Sequence, residues 1–260
     1  MSNSHPIIIG GFYRSGTTLI RRLLDSHSNI HCGPEVKFFK DFHGHYLNDP
    51  LSHVRFFETA RFYLSNESLL DIFGKAFVEF HNTAMRSAKK LRWADKNPEN
   101  VLYLNEWNKI LPEGFTFIHV LRHPLDALAS LKEIGFDKAL PPLFEDKVKL
   151  LKYFVQSGNV YEARNSSSSI RIYYEDLVNQ PEKTLKGLFD KLKINWEPQV
   201  LESFFSAERI EGVEDPKTKL SISIHNLSIN RWKKDLSEKE IDTAVRILGP
   251  TFEGYKFQSL

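Results

Sequence analysis

Short apolar runs alternate with longer amphipathic stretches along this chain. Ile7-Ile8-Ile9 is β-branched and reads as a buried strand. Leu19, Ile20, Leu23 and Leu24 follow at the spacing of one helix face. Ser26 to His43 is polar and predicts a loop. Leu51 to Tyr63 and Leu69 to Lys90 predict helices, the second with a core-facing stripe of Leu70, Phe73, Phe77 and Phe80. Leu91-Arg92-Trp93-Ala94 predicts a short strand. Val101, Leu104, Trp107 and Leu111 mark the next helix, entered at Pro98. Phe115 to Leu121 is the clearest buried strand, and a helix starts near Pro124. Phe144, Val148, Leu151 and Val155 mark another helix, followed by a serine-rich turn from Asn165 to Ser169. Ile170 to Tyr174 predicts a third long strand, and Pro181 to Lys193 a helix behind it. Ser237 and Glu240 form a capping box before Ile241. Lys217 to Trp232 lacks any period and predicts a long loop, a kind that often carries function. Strands alternating with helices imply an α/β fold with a central parallel sheet flanked by helices.

The stretch Gly11-Phe12-Tyr13-Arg14-Ser15-Gly16-Thr17-Thr18 stands between the first strand and the first helix. Its glycines let the backbone turn sharply, so that N–H groups converge on an oxyanion at a helix N-terminus. The spacing is that of a P-loop, G-x-x-x-x-G, with Thr18 at the hydroxyl position. The fold expected is therefore P-loop-like, three layers in a single domain over residues 1–260. Thr17 stands where a nucleotide triphosphatase carries lysine, and the cation sits inside the loop as Arg14. That argues against ATP or GTP hydrolysis and for a donor with fewer phosphates. The strand Phe115 to Leu121 ends in Arg122 and not in the acid of a Mg²⁺ site, which favours binding of a second anion. Arg122 in a surface ion pair is the competing reading. Lys96 falls between a strand end and a helix start, where α/β folds place ligand groups, although a snorkelling surface lysine would look the same. Glu35 follows Gly33-Pro34, so a turn can aim it at the loop; a solvated surface acid is the alternative.

Composition narrows the class. The 260 residues suffice for a full core, and a net charge of +2 is too slight to imply nucleic-acid binding. Cys32 is the one cysteine, which excludes an intramolecular disulfide and suits a reducing compartment. The first six residues are polar and do not resemble a signal peptide, and no apolar run approaches the ~20 residues of a membrane span. The expectation is a cytoplasmic protein without membrane or nucleic-acid partners.

Arg14-Ser15-Gly16-Thr17-Thr18 after an apolar strand, with Arg122-His123-Pro124 and Ser130 after a later one, resembles the sulfotransferases. The tyrosylprotein sulfotransferase branch is most similar, over most of the chain to about Trp232. The resemblance implies 3′-phosphoadenosine-5′-phosphosulfate (PAPS) as donor and no metal. Arg14, Ser15, Gly16, Thr17 and Thr18 would hold the 5′-phosphosulfate, and Arg122 and Ser130 the 3′-phosphate. The branch's catalytic acid falls on Glu35, its Lys-Asp-Pro element on Lys96-Asn97-Pro98, and its Tyr-Glu element on Tyr174-Glu175. The chain departs from the branch at Pro34 and Asn97, and at Ile134, where a third donor-binding arginine has no counterpart.

The reaction implied is in-line displacement, with Glu35 as general base and Arg14 and Lys96 facing the leaving phosphate. The acceptor would be a hydroxyl on a peptide tyrosine, a glycan or a small metabolite, its site shaped by a helical insert near residues 50–90. His27, His31 and His123 could line the pocket, with a structural or solvated place for each as the competing reading. A P-loop kinase or NTPase, or a non-enzymatic nucleotide-binding module, are the alternatives.

Overall fold

The computed structural model describes residues 5–45, 55–133, 140–203 and 224–249. Five strands form one parallel sheet: β1 (Ile7–Gly11), β2 (Ile30–His31), β3 (Arg92–Lys96), β4 (Thr116–Leu121) and β5 (Ser169–Tyr173), in the order β2-β3-β1-β4-β5. Side-chain alternation in β1 divides the core in two. Ile8 packs on one face with Phe117, Val101 and Trp107; Ile7 and Ile9 pack on the other with Ile20, Leu24 and Phe189.

Helix α1 (Thr17–Asp25) follows β1, and α2 (Phe38–His43) lies beyond β2. Helices α3 (Arg55–Ala60) and α4 (Asn66–Ser87) precede β3. A 3₁₀ turn over Pro98–Leu102 leads into α5 (Leu104–Ile110). Helices α6 (Pro124–Glu133) and α7 (Phe144–Arg164) separate β4 from β5. Then come α8 (Tyr174–Asn179), α9 (Pro181–Leu192), α10 (Gln199–Ser203), α11 (Trp232–Asp235) and α12 (Glu238–Leu248).

Four local expectations change. The stretch Ser26 to His43 holds β2 and α2. The first is a two-residue edge strand, too short to show a period; the second hides Phe38, Phe39 and Phe42 among charged neighbours. Phe80 is 52% exposed, outside the predicted stripe. The buried line of α4 runs Leu70, Gly74, Phe77, His81, so the inward place after Phe77 falls to His81. Leu91 is exposed, and β3 runs on through Asp95 and Lys96, which pair with Ile8 and Ile9. Tyr174 opens α8 where the strand was expected to end. Leu51–Val54, Ile134 and Lys217–Ser223 lie outside the described residues; from 224 to 231 the expected loop holds no helix or strand.

Candidate active site

The candidate residues collect at the C-terminal ends of β1, β3 and β4, where a parallel sheet presents its loops to ligands. The loop after β1 folds back through a turn in which the Ser15 N–H donates to the Phe12 carbonyl at 3.1 Å. Arg14 takes a positive φ of 65° there, and Gly16 caps α1 at φ 94°. A Cβ on Gly16 would stand 2.6 Å from Tyr174 Cδ2, so backbone conformation and space both require glycine. A Cβ on Gly11 would stand 2.3 Å from the Val120 carbonyl oxygen, because β1 and β4 pair closely there. Ser15 in the loop and Thr17 at the start of α1 are buried, and the first N–H groups of α1 lack partners within the helix.

Lys96, the last residue of β3, pairs in register with Ile9 and so lies against the loop. It is 1% exposed, which rules out the surface-lysine reading. Its Nζ donates to Thr18 Oγ1 at 3.2 Å and to Glu35 Oε1. A buried ammonium needs such partners, since isolated burial of a charge costs several kcal/mol. The Glu35 turn is tied to β3 again by Asn97, whose Nδ2 donates to the Val36 carbonyl at 2.8 Å. Glu35 is therefore a held group and not a solvated acid.

A second cluster gathers Arg14, Arg122, Ser130 and Tyr174. Arg122 is 6% exposed and its guanidinium carbon stands 4.5 Å from the centroid of the Tyr174 ring. Its Nη1 donates to the Arg14 carbonyl at 2.8 Å and its Nη2 to the Ser228 carbonyl at 2.7 Å. Burial lowers the Arg122 pKa and raises that of Tyr174. Arg14 Nε donates to Ser130 Oγ at 3.0 Å. The arginine expected at the 5′ end thus reaches, by its side chain, the serine expected at the 3′ end. The two candidate anion sites share a wall.

Four charged or polar residues that sequence reasoning passed over stand beside Glu35. Glu99 Oε1 accepts from the Tyr13 hydroxyl at 2.7 Å and from Lys40 Nζ at 3.1 Å. Lys37 Nζ lies 3.6 Å from both Glu99 Oε1 and Glu35 Oε2. Burial favours the neutral form of Glu99, yet Lys37, Lys40 and the Tyr13 hydroxyl hold its carboxyl down to about 2. Burial, with Glu99 beside it, pushes the Tyr13 phenol well up. The signal in the chain is Lys37 and Lys40, three residues apart and shortly after Glu35, on a helix too short to show a period. A cavity of about 10 Å³, room for one water, adjoins this network between Val36, Phe38, Phe77, Asn97 and Trp107.

Of the histidines, His27 is structural: buried, stacked on Phe189, its Nε2 2.9 Å from the Asn195 carbonyl oxygen. His31 lies 3.8 Å from Asp25, and burial lowers its pKa. His123 borders the second cluster, its backbone N–H donating to Glu175 Oε1 at 2.9 Å. Burial and the neighbouring Arg122 and Lys233 push its imidazole down to about 4. Among the described residues no three His, Cys, Asp or Glu side chains converge as a metal site would require, and no helix is long and apolar enough to cross a membrane.

The protein-tyrosine sulfotransferase 1 of Danio rerio is 27% identical over 207 residues, 75% of this chain and 55% of that protein. The chain thus spans about half the length of that relative. The sulfotransferase domain of the Synechococcus PCC 7002 olefin synthase superposes with a TM-score of 0.68 at 20% identity, covering 99% of this chain and 98% of that one. A mouse sulfotransferase solved with PAP superposes at 0.52 with 12% identity, over 98% and 87% of the two chains. The sulfotransferase family profile matches residues 6–198, from the first strand through the helix behind β5. With that match spanning most of its length, the chain belongs to the sulfotransferase family, enzymes that transfer sulfuryl groups.

Proposed function

We propose that the protein transfers the sulfuryl group of PAPS to a hydroxyl acceptor with Glu35 as general base. The observation that carries the reading is the chain of contacts Glu35–Lys96–Thr18, which joins a carboxylate to the phosphate loop through one buried ammonium. Arg14, Ser15, Gly16, Thr17 and Thr18 would hold the 5′-phosphosulfate, and Arg122, Ser130 and Tyr174 the 3′-phosphate end. The residues fit that nucleotide: Arg122 is buried with its Nε–H making no hydrogen bond to any described residue, a donor left over at the place where an anion is expected. The donor, when bound, supplies an activated sulfur–oxygen bond.

Glu35 accepts the acceptor's proton as the new oxygen–sulfur bond forms and the bond to the bridging oxygen breaks. Neutralising Glu35 removes the counter-ion of Lys96. The ammonium is then free to meet the charge developing on the leaving phosphate, so proton removal and leaving-group stabilisation are coupled through one side chain. Arg14 and Lys96 supply positive charge in the reading that needs no metal. Peptide tyrosine, glycan and small metabolite remain the acceptor classes of the proposal. Helices α3 and α4 would shape the acceptor entrance as an insert in a single domain. A buried, free Cys32 suits a cytoplasmic setting.

Adenosine 3′,5′-bisphosphate (PAP) is expected to raise the melting temperature well above the effect of equal ATP, because ATP offers no 3′-phosphate. Equal shifts would overturn the donor assignment. Glu35→Gln should keep the PAP-induced shift and lose at least ~10²-fold of turnover with labelled PAPS. Unchanged turnover would remove Glu35 from its role.

A further inference from the structure

Arg122 lies two residues before α6 begins, and Asp126 and Ser130 stand one turn apart on one face of the helix. The outer two belong to the second anion cluster. The middle one is an acid, 1% exposed, in a place where a carboxylate would repel a phosphate. Both of its oxygens are engaged by backbone. The Asn230 N–H donates to Oδ2 at 2.8 Å and the Trp232 N–H to Oδ1 at 3.0 Å. The same short segment is fastened twice more. The Trp232 ring stacks on His123, centroids 5.8 Å apart and 8° from parallel, and Arg231 pairs with Glu133 at 2.7 Å. Two residues before Asn230, the Ser228 carbonyl accepts from Arg122 Nη2.

Arg122 is therefore gripped by two carbonyl groups, those of Arg14 and Ser228, and among the described residues its Nε–H makes no hydrogen bond. We infer that Asp126 is a positioning residue for the nucleotide. It latches residues 228–232 across α6, so that the Ser228 carbonyl holds the Arg122 guanidinium ready for the 3′-phosphate. The inference deepens the donor reading above and rests on it. Asp126 touches no ligand in this scheme; it acts through the segment and through Arg122. Both of its oxygens are satisfied by backbone N–H groups, and its charge helps to keep the neighbouring Arg122 protonated.

The test compares wild type, Asp126→Ala and Asp126→Asn by calorimetric titration with PAP and with 5′-AMP, which lacks the 3′-phosphate. Amide hydrogen exchange at residues 228–232 is followed in parallel. Asp126→Ala should weaken PAP roughly two- to tenfold, the cost of ordering one long side chain on binding, and leave 5′-AMP within about twofold. Asp126→Asn keeps the volume and one acceptor oxygen, so it should show a smaller loss with the same selectivity; it also serves if the alanine variant folds poorly. Exchange at Asn230 and Trp232 should speed up in both variants. Equal losses for PAP and 5′-AMP would indicate a general structural role and overturn the latch, as would unchanged PAP affinity. If wild type bound no PAP, the donor reading would fall, and unaltered exchange in the variants would separately sink the latch.

Discussion

Glu99 gathers Tyr13, Lys37 and Lys40 on one buried carboxyl group. Its folded pKa of about 2 lies below the ordinary 4.5. A depressed carboxylate contributes stability that is fully present above about pH 4.5 and is lost as pH falls toward 2. In Glu99→Gln that loss should vanish, so urea-unfolding free energies measured from pH 5 to 2.5 should fall less steeply than in wild type. Parallel curves would show that the cluster does not couple to folding. At pH 7 the same variant breaks the buried Lys40–Glu99 pair while Lys37 keeps Glu35, and about 3–5 kcal/mol of destabilisation is expected. The loop residues Arg14 to Thr18 were legible because their chemistry is contiguous in the chain. Glu99 was not, because its partners stand 86 and 59 residues away and nothing local marks the meeting.

Elements that carry their own punctuation were readable one at a time. The capping box before α12 is present as expected. The Ser237 N–H donates to Glu240 Oε2 at 2.8 Å, and the Glu240 N–H returns to Ser237 Oγ at 3.4 Å. Ser237→Ala should cost about 1 kcal/mol. Hydrogen exchange should localise the change to α12, with PAP binding unaltered; a loss of PAP affinity would contradict that separation. Helix α2 was missed for the opposite reason. Its six residues are too few for periodicity, and Lys40 disguises a buried face by pairing with Glu99. Phe80 misled because a step of three from Phe77 leaves the buried stripe, whereas a step of four to His81 stays within it.

For the whole molecule, the donor reading predicts that nucleotide binding and folding share one free energy. At a PAP concentration 100 times its dissociation constant the gain is ~2.7 kcal/mol, or roughly 5–10 °C in melting temperature for a chain of this size. A rise that did not grow with PAP concentration would contradict specific binding. The parallel sheet and its helical layers followed from the alternation of strand and helix signals, because burial on both faces forces apolar runs that any reader of the chain can see. The same holds for the loop after β1, where glycine, cation and hydroxyl lie within eight residues. Local order along the chain determined these. Only the packing of distant segments decided that Lys96 is buried between Glu35 and Thr18, that Arg14 reaches Ser130, and that Asp126 holds residues 230 and 232. Charges taken out of water must find partners wherever the fold brings them, and sequence spacing carries no record of that choice.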